Sequence, residues 1–230
     1  MDLPPPKPGH WTSLVYKIGY RALICAGYFM EPLAREDMKD DPIEQFADWY
    51  KKAKKSGGMR QPETMCLSTI DDQGFPDARM VLLKGFSQEG FIFYTNINSI
   101  KGNALKARPQ VCLTFYWEKL WRQIRIQGSA SQVTDAEADA YFRTRPRLSQ
   151  LGAWASMQSS PLADRSILDG RVEEFRRRFE GKNVPRPEFW TGFRVRPERM
   201  EFWQLRPNRL HDRFLYTRIQ NRWDITRLYP

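Results

Sequence analysis

Between residues 64 and 133 the chain sets short apolar runs between brief polar breaks, and this spacing limits the fold more than any other feature. The pattern at 64–70, 78–84 and 90–95 reads as strands, the first two separated by the turn Asp71-Asp72-Gln73-Gly74. Segments 111–117 and 122–133 read as a hairpin pair, and the later part of 122–127 alternates polar and apolar as a half-buried strand does. Three closing strands are expected at 199–204, 214–218 and 223–227.

Helices interrupt this series. Asp41 caps a helix that Pro42 can open, Ile43, Phe46, Ala47 and Tyr50 recur along it at helical spacing, and it dissolves at residues 54–58. Segment 98–108 looks helical, Thr134 and Glu137 form a capping box for a helix over 134–145, and a charged helix is expected over 162–180. Six to eight strands with mostly short connections and a few helices predict an antiparallel barrel, mainly β with peripheral helices. No Gly-x-Gly-x-x-Gly or phosphate-loop motif occurs, which argues against a doubly wound dinucleotide fold.

Composition narrows the partners. The chain has 230 residues, enough for one domain with a real core. Its 37 basic and 27 acidic residues give a net charge of +10, which favours an anionic partner: nucleic acid, a membrane surface or a phosphorylated small molecule. A merely solvated basic surface gives the same count. Cys25, Cys66 and Cys112 match no metal pattern, and the last two lie in apolar runs, so buried free thiols in a reducing, cytoplasmic setting are expected. Residues 11–30 are fairly apolar, but Lys17 and Arg21 interrupt them, so an amphipathic helix or partly ordered arm is expected rather than a membrane span. Residues 1–40 are taken as an N-terminal arm, partly disordered, and 41–230 as the main domain.

Several cationic and hydroxyl clusters could carry chemistry. Arg79 and Lys84 differ by five positions and face opposite ways on a regular strand, so they serve two anions or one is solvated. Tyr94, Thr95, Asn96, Ser99 and Lys101 lie where a strand meets a helix, as a phosphate cradle or as ordinary capping residues. Tyr141, Arg145 and Ser149 share a helical face only if the helix survives Pro146. There are two histidines. His10 lies in a Pro-rich arm. His211 alternates with Arg209 and Arg213, and those cations should lower its pKa. A salt-bridged strand would look similar. No metal site is expected.

In order along the chain stand Arg79-Met80-Val81-Leu82-Leu83-Lys84, Phe93-Tyr-Thr-Asn96, Arg122-Gln123, Tyr141-Phe-x-x-Arg145-Pro-x-x-Ser149-Gln, Gly152-Ala-Trp-Ala-Ser-x-Gln158-Ser159-Ser160 and Glu201-Phe-Trp203-Gln-x4-Arg209-Leu210-His211-Asp-Arg213. With these pieces the sequence resembles the pyridoxine (pyridoxamine) 5′-phosphate oxidases from about Asp41 to Pro230. The resemblance implies an FMN-binding split β-barrel, Greek-key and antiparallel, as a homodimer with FMN at the subunit interface. It implies that residues 79 to 84, Tyr94, Thr95, Lys101, Gln123, Gln158, Ser159, Trp203 and Arg213 contact FMN. Lys84, Tyr141, Arg145 and Ser149 would hold the substrate phosphate, Arg209, Leu210 and His211 would lie over the substrate ring with Arg209 and His211 in the catalytic role, and Tyr28 would belong to a lid. The implied reaction oxidises pyridoxine 5′-phosphate or pyridoxamine 5′-phosphate with O2 to pyridoxal 5′-phosphate. Four positions depart from the family pattern: Ile100 replaces an Arg, Cys25 an Arg of the lid, and Leu205 and Thr191 each stand where Gly is common. Ile100 removes one cation from the FMN phosphate grip and predicts weaker FMN retention.

Two other readings compete. A non-catalytic relative would hold FMN or pyridoxal phosphate without turnover. A nucleic-acid binder would use the basic charge and runs such as residues 175–179, although that run reads as a solvated helix face and no nucleic-acid motif occurs.

Overall fold

The structure, a computed structural model, describes residues 31–230. Cys25, Tyr28, His10 and the segment 11–30 therefore lie outside the described residues. Nine strands form one antiparallel sheet: β1 (Thr64–Ile70), β2 (Pro76–Leu82), β3 (Gly85–Ser87), β4 (Gly90–Asn96), β5 (Gln110–Trp117), β6 (Arg122–Gln132), β7 (Trp190–Gln204), β8 (Asp212–Ile219) and β9 (Arg222–Arg227). Among the described residues there are five α-helices: α1 (Pro42–Lys55), α2 (Ile100–Ala107), α3 (Asp135–Thr144), α4 (Arg147–Ala155) and α5 (Arg165–Arg178).

The sheet follows the order β2-β1-β5-β6-β7-β4-β3 and splits at β7. One edge of β7 pairs with β6 along nearly its whole length. The other edge is shared: β4 pairs with residues 190–195 and β8 with residues 199–204. The sheet thus divides at its longest strand, which makes this a split barrel. The sequence pattern pointed only to 199–204 because Pro197 argues against a central strand. Pro197 is accommodated at a register shift opposite Gly128, where a β-carbon on Gly128 would lie 2.0 Å from the Arg196 carbonyl oxygen.

Helix α1 fills the barrel. Asp41 accepts from the Ile43 N–H as N-cap, and Ile43, Phe46, Trp49 and Ala53 are buried along one face. Phe46 meets Phe86, Phe91 and Phe115 edge-on at 4.8 to 5.1 Å. A second cluster joins α3, α4 and α5 to the start of β7 through Phe142, Leu151, Phe175, Phe179 and Trp190. Residues 31–40 lie against the barrel: Leu33 and Met38 are buried, and the Leu33 N–H donates to Asp212.

Some expectations need correction. Cys66 and Cys112 are half-buried free thiols rather than buried ones. Their neighbours Met65, Leu67, Val111 and Leu113 take the core face, so strand alternation turns both sulfurs outward. The helix beginning at Thr134 ends at Thr144, and a separate helix starts after Pro146. The charged helix spans Arg165–Arg178, with Asp164 as its N-cap. Strand β3 and helix α4 were not foreseen.

Candidate active site

The largest group of expected site residues meets in one cavity of about 490 Å³. Met80, Val81, Leu82 and Lys84 line it from the end of β2, Tyr94, Thr95 and Asn96 from the end of β4, and Lys101 from the first turn of α2. Tyr141, Arg145, Ser149 and Gln158 complete the lining. Pro146 separates the helices on either side of it, yet Arg145 and Ser149 both line the cavity. Lys84 lies beyond the end of β2 and lines the cavity, whereas Arg79 bonds Asp77 and Thr69 and stays outside the lining, near enough for its charge to act on Lys101. Leu83 is buried in the main core.

The cavity's electrostatics favour a bound anion. The Arg145 guanidinium sits 4.7 Å over the Trp190 ring, and its Nη1 is buried without a hydrogen-bond partner. Burial lowers its pKa. An unpaired buried donor on a permanent cation costs free energy unless something accepts from it. Burial also lowers the Lys101 pKa, with the charge of Arg79 adding to the effect. Lys101 Nζ and Thr95 Oγ1 both donate to Gln158 Oε1, at 3.2 and 3.1 Å. Ser99 is spent as a capping residue: it accepts from the Gly102 N–H and donates to the Asn96 carbonyl. Ser159, beside Gln158, holds a left-handed φ of 74°.

A stack of flat rings forms one side of the cavity. Tyr94 lies 4.1 Å from Tyr141 and 5.0 Å from Trp190, all nearly parallel. No motif or spacing in the sequence singles out Trp190. The signal available was its indole in the otherwise loop-like stretch after Pro185 and Pro187, which reveals nothing about stacking until β4 and β7 are paired.

The remaining expected residues form a second cluster at the other end of β7. Gln123, Trp203 and Arg213 make one row across β6, β7 and β8, because Gln123 pairs with Trp203 and Trp203 with Arg213. The His211 ring lies 4.6 Å from Trp203. Residues 209–213 are not one strand, as the alternation had implied. Pro207, Asn208 and Arg209 form a 3-10 turn in which Asn208 and Arg209 hold φ of 57° and 63°, and β8 starts only at Asp212. Left-handed backbone at two successive non-glycine residues is strained, and such strain concentrates at functional sites. It sets Arg209 and Leu210 on an exposed loop beside His211.

The His211 Nδ1 accepts from the Arg206 N–H at 3.1 Å. A backbone N–H can only donate, so the neutral ring carries its proton on Nε2. Burial is the main cause that lowers the His211 pKa, and the charges of Arg209 and Arg213 push the same way. The sequence had suggested the cations alone.

Residues 34–179 match the family model described as pyridoxamine 5′-phosphate oxidase, and residues 190–230 match the pyridoxine 5′-phosphate oxidase C-terminal dimerisation region. The chain belongs to the pyridoxine/pyridoxamine 5′-phosphate oxidase family. A pyridoxine/pyridoxamine 5′-phosphate oxidase of Rubrobacter xylanophilus is 52% identical over 203 residues, covering 88% of this chain and 93% of the relative. One from Zymomonas mobilis is 51% identical over 193 residues, covering 84% of this chain and all of the relative. Among solved structures, PhzG from Burkholderia lata 383, in complex with tetrahydrophenazine-1-carboxylic acid, superposes with a TM-score of 0.81 at 30% identity, over 87% of this chain and 99% of that one. A pyridoxamine 5′-phosphate oxidase-related, FMN-binding protein of Nostoc punctiforme shares the fold at 16% identity with a TM-score of 0.66, over 84% of this chain and all of that one. In this oxidase family member no described helix is long and apolar enough to cross a membrane.

Proposed function

We propose that this protein is an FMN-dependent oxidase acting in the cytoplasm. It converts pyridoxine 5′-phosphate and pyridoxamine 5′-phosphate with O2 to pyridoxal 5′-phosphate and H2O2, releasing NH3 from the amine. The observation that carries this reading is the buried, unpartnered Nη1 of Arg145 in a cavity that also holds Lys84, Tyr141 and Ser149. Two cations and two hydroxyls suit a phosphate monoester, whose oxygens accept several charge-assisted bonds at once.

The remaining residues fit FMN. The cavity has a basic, polar end at Lys101, Thr95 and Gln158. The row of Gln123, Trp203 and Arg213 offers a donor fork beside an aromatic face. Bound FMN supplies two-electron redox chemistry and its reoxidation by O2.

Cavity and row belong to opposite ends of β7. Residues 190 and 203 are 13 positions apart on this strand. At about 3.3 Å per residue that is a path of roughly 40 Å, so even with curvature one mononucleotide does not bridge them. Each active site therefore takes its cavity from one subunit and its Gln123, Trp203, Arg209, His211 and Arg213 from the other, in a homodimer. Arg209 and His211 then close over the substrate ring. His211 serves as an Nε2–H donor that orients the substrate, and its lowered pKa keeps it uncharged between two arginines.

Peroxide formation with phosphorylated and unphosphorylated pyridoxine tests this. Peroxide from the phosphate ester and little from free pyridoxine is the expected result. Equal rates would remove the phosphate-clasp argument. Flavin binding with no peroxide from either form would favour a non-catalytic carrier.

A further inference from the structure

We propose that Glu201 is a positioning residue that fixes the Arg213 guanidinium for flavin, an inference resting on the reading above that Arg213 contacts FMN. Glu201 precedes Trp203 by two residues on β7, so both face the outer side of the sheet while Met200 and Phe202 enter the core. Arg125 lies directly across on β6, and Arg213 lies diagonally across on β8. The Glu201 side chain is only 9% exposed. Its Oε1 accepts from Arg213 Nε at 2.8 Å and its Oε2 from Arg125 Nη1 at 3.2 Å.

This carboxylate is a poor choice for stability alone. Burying a charge is costly, and a buried ion pair often does no better than a well-packed apolar residue. The pairing does settle direction. Arg213 Nε is held by Glu201, and Arg213 Nη1 donates to the Tyr229 carbonyl at 2.9 Å. Two anchors on different edges of a planar fork leave it one orientation, with Nη2 uncommitted to either anchor, in the row that contains Trp203. Arg125 offsets the carboxylate's second oxygen, so Glu201 does not need the flavin as a partner.

The test is FMN affinity of the apo-dimer, read by quenching of flavin fluorescence, for Glu201→Gln, Glu201→Ala, Arg213→Ala and the double Ala variant, with thermal unfolding recorded alongside. Glu201→Ala should weaken FMN binding roughly tenfold or more, as expected for a charge-assisted bond. The double variant should bind no worse than Arg213→Ala, because Glu201 acts through that arginine. Glu201→Gln keeps one acceptor and should retain most of the affinity. Should Glu201→Ala fail to fold, Glu201→Met, which keeps the volume without an oxygen acceptor, takes its place, with the same weakened FMN binding expected. Loss of affinity that adds to that of Arg213→Ala, or loss that tracks lowered unfolding temperature alone, would overturn it. If Arg213→Ala itself leaves FMN affinity unchanged, the placement of Arg213 against flavin fails instead.

Discussion

Arg145 shows how a single residue joins fold to chemistry. Pro146 ends α3 beside it, Trp190 supports its guanidinium, and burial leaves Nη1 without a partner. Replacing it with Gln should cost about 1.5–3 kcal/mol of phosphate binding, a rise of roughly 10- to 150-fold in KM with a smaller change in kcat. Steady-state kinetics on pyridoxine 5′-phosphate checks this. Its place in the motif was legible in the sequence, but its missing partner was not, because burial depends on Trp190 arriving from a strand 45 residues away. His211 yields a second prediction. Its depressed pKa means that, as pH falls below the ordinary imidazole value, the unfolded chain takes up a proton before the folded one does. Stability is therefore lost as pH falls through that window, and nothing is lost above it. With two histidines in the chain, NMR titration of wild type and His211→Asn assigns the resonance. A midpoint at or above that of free imidazole would contradict the burial argument.

At the scale of elements, β7 carries both clusters of candidate residues. Its first half pairs with β4 and supports the cavity, and its second half pairs with β8 and carries Trp203. Most strands could be read from their alternation, and β1 matches the expected 64–70 to the residue. The first half of β7 could not be, since a proline inside a strand is confined to edges, first positions and bulges, and the bulge that leaves Glu198 unpaired beside Pro197 shows only once β6 and β7 are paired. Gly128→Ala should disturb that junction, because the new methyl would meet backbone rather than a yielding side chain. A loss of about 1–3 kcal/mol, seen as a lowered unfolding temperature, is expected. The start of α2 gives a prediction in the other direction. Ile100 is exposed at the first position of this helix, next to Lys101 in the cavity. Ile100→Arg adds a cation there and should tighten FMN about tenfold, or ~1.4 kcal/mol, in a fluorescence titration.

For the whole molecule, the two clusters could be listed from sequence, but their separation could not, because local patterns carry no distances. They lie at opposite ends of one strand, and on the proposed reading each site is completed by the second subunit. Assayed at substrate well below the raised KM, subunits carrying Arg145→Gln mixed with subunits carrying Arg209→Ala should regain activity well above that of either variant alone. One intact site per mixed dimer, with half of the dimers mixed, gives about a quarter of wild-type turnover. No recovery would mean that each subunit completes its own site. The central claim, that this fold holds FMN and uses it to oxidise a B6 phosphate ester, is tested most directly by the visible spectrum of the purified protein without oxygen. A flavin spectrum that bleaches on adding pyridoxine 5′-phosphate and returns with air is predicted. A colourless protein that takes up no FMN, or a flavin spectrum left unchanged by the ester, would contradict it.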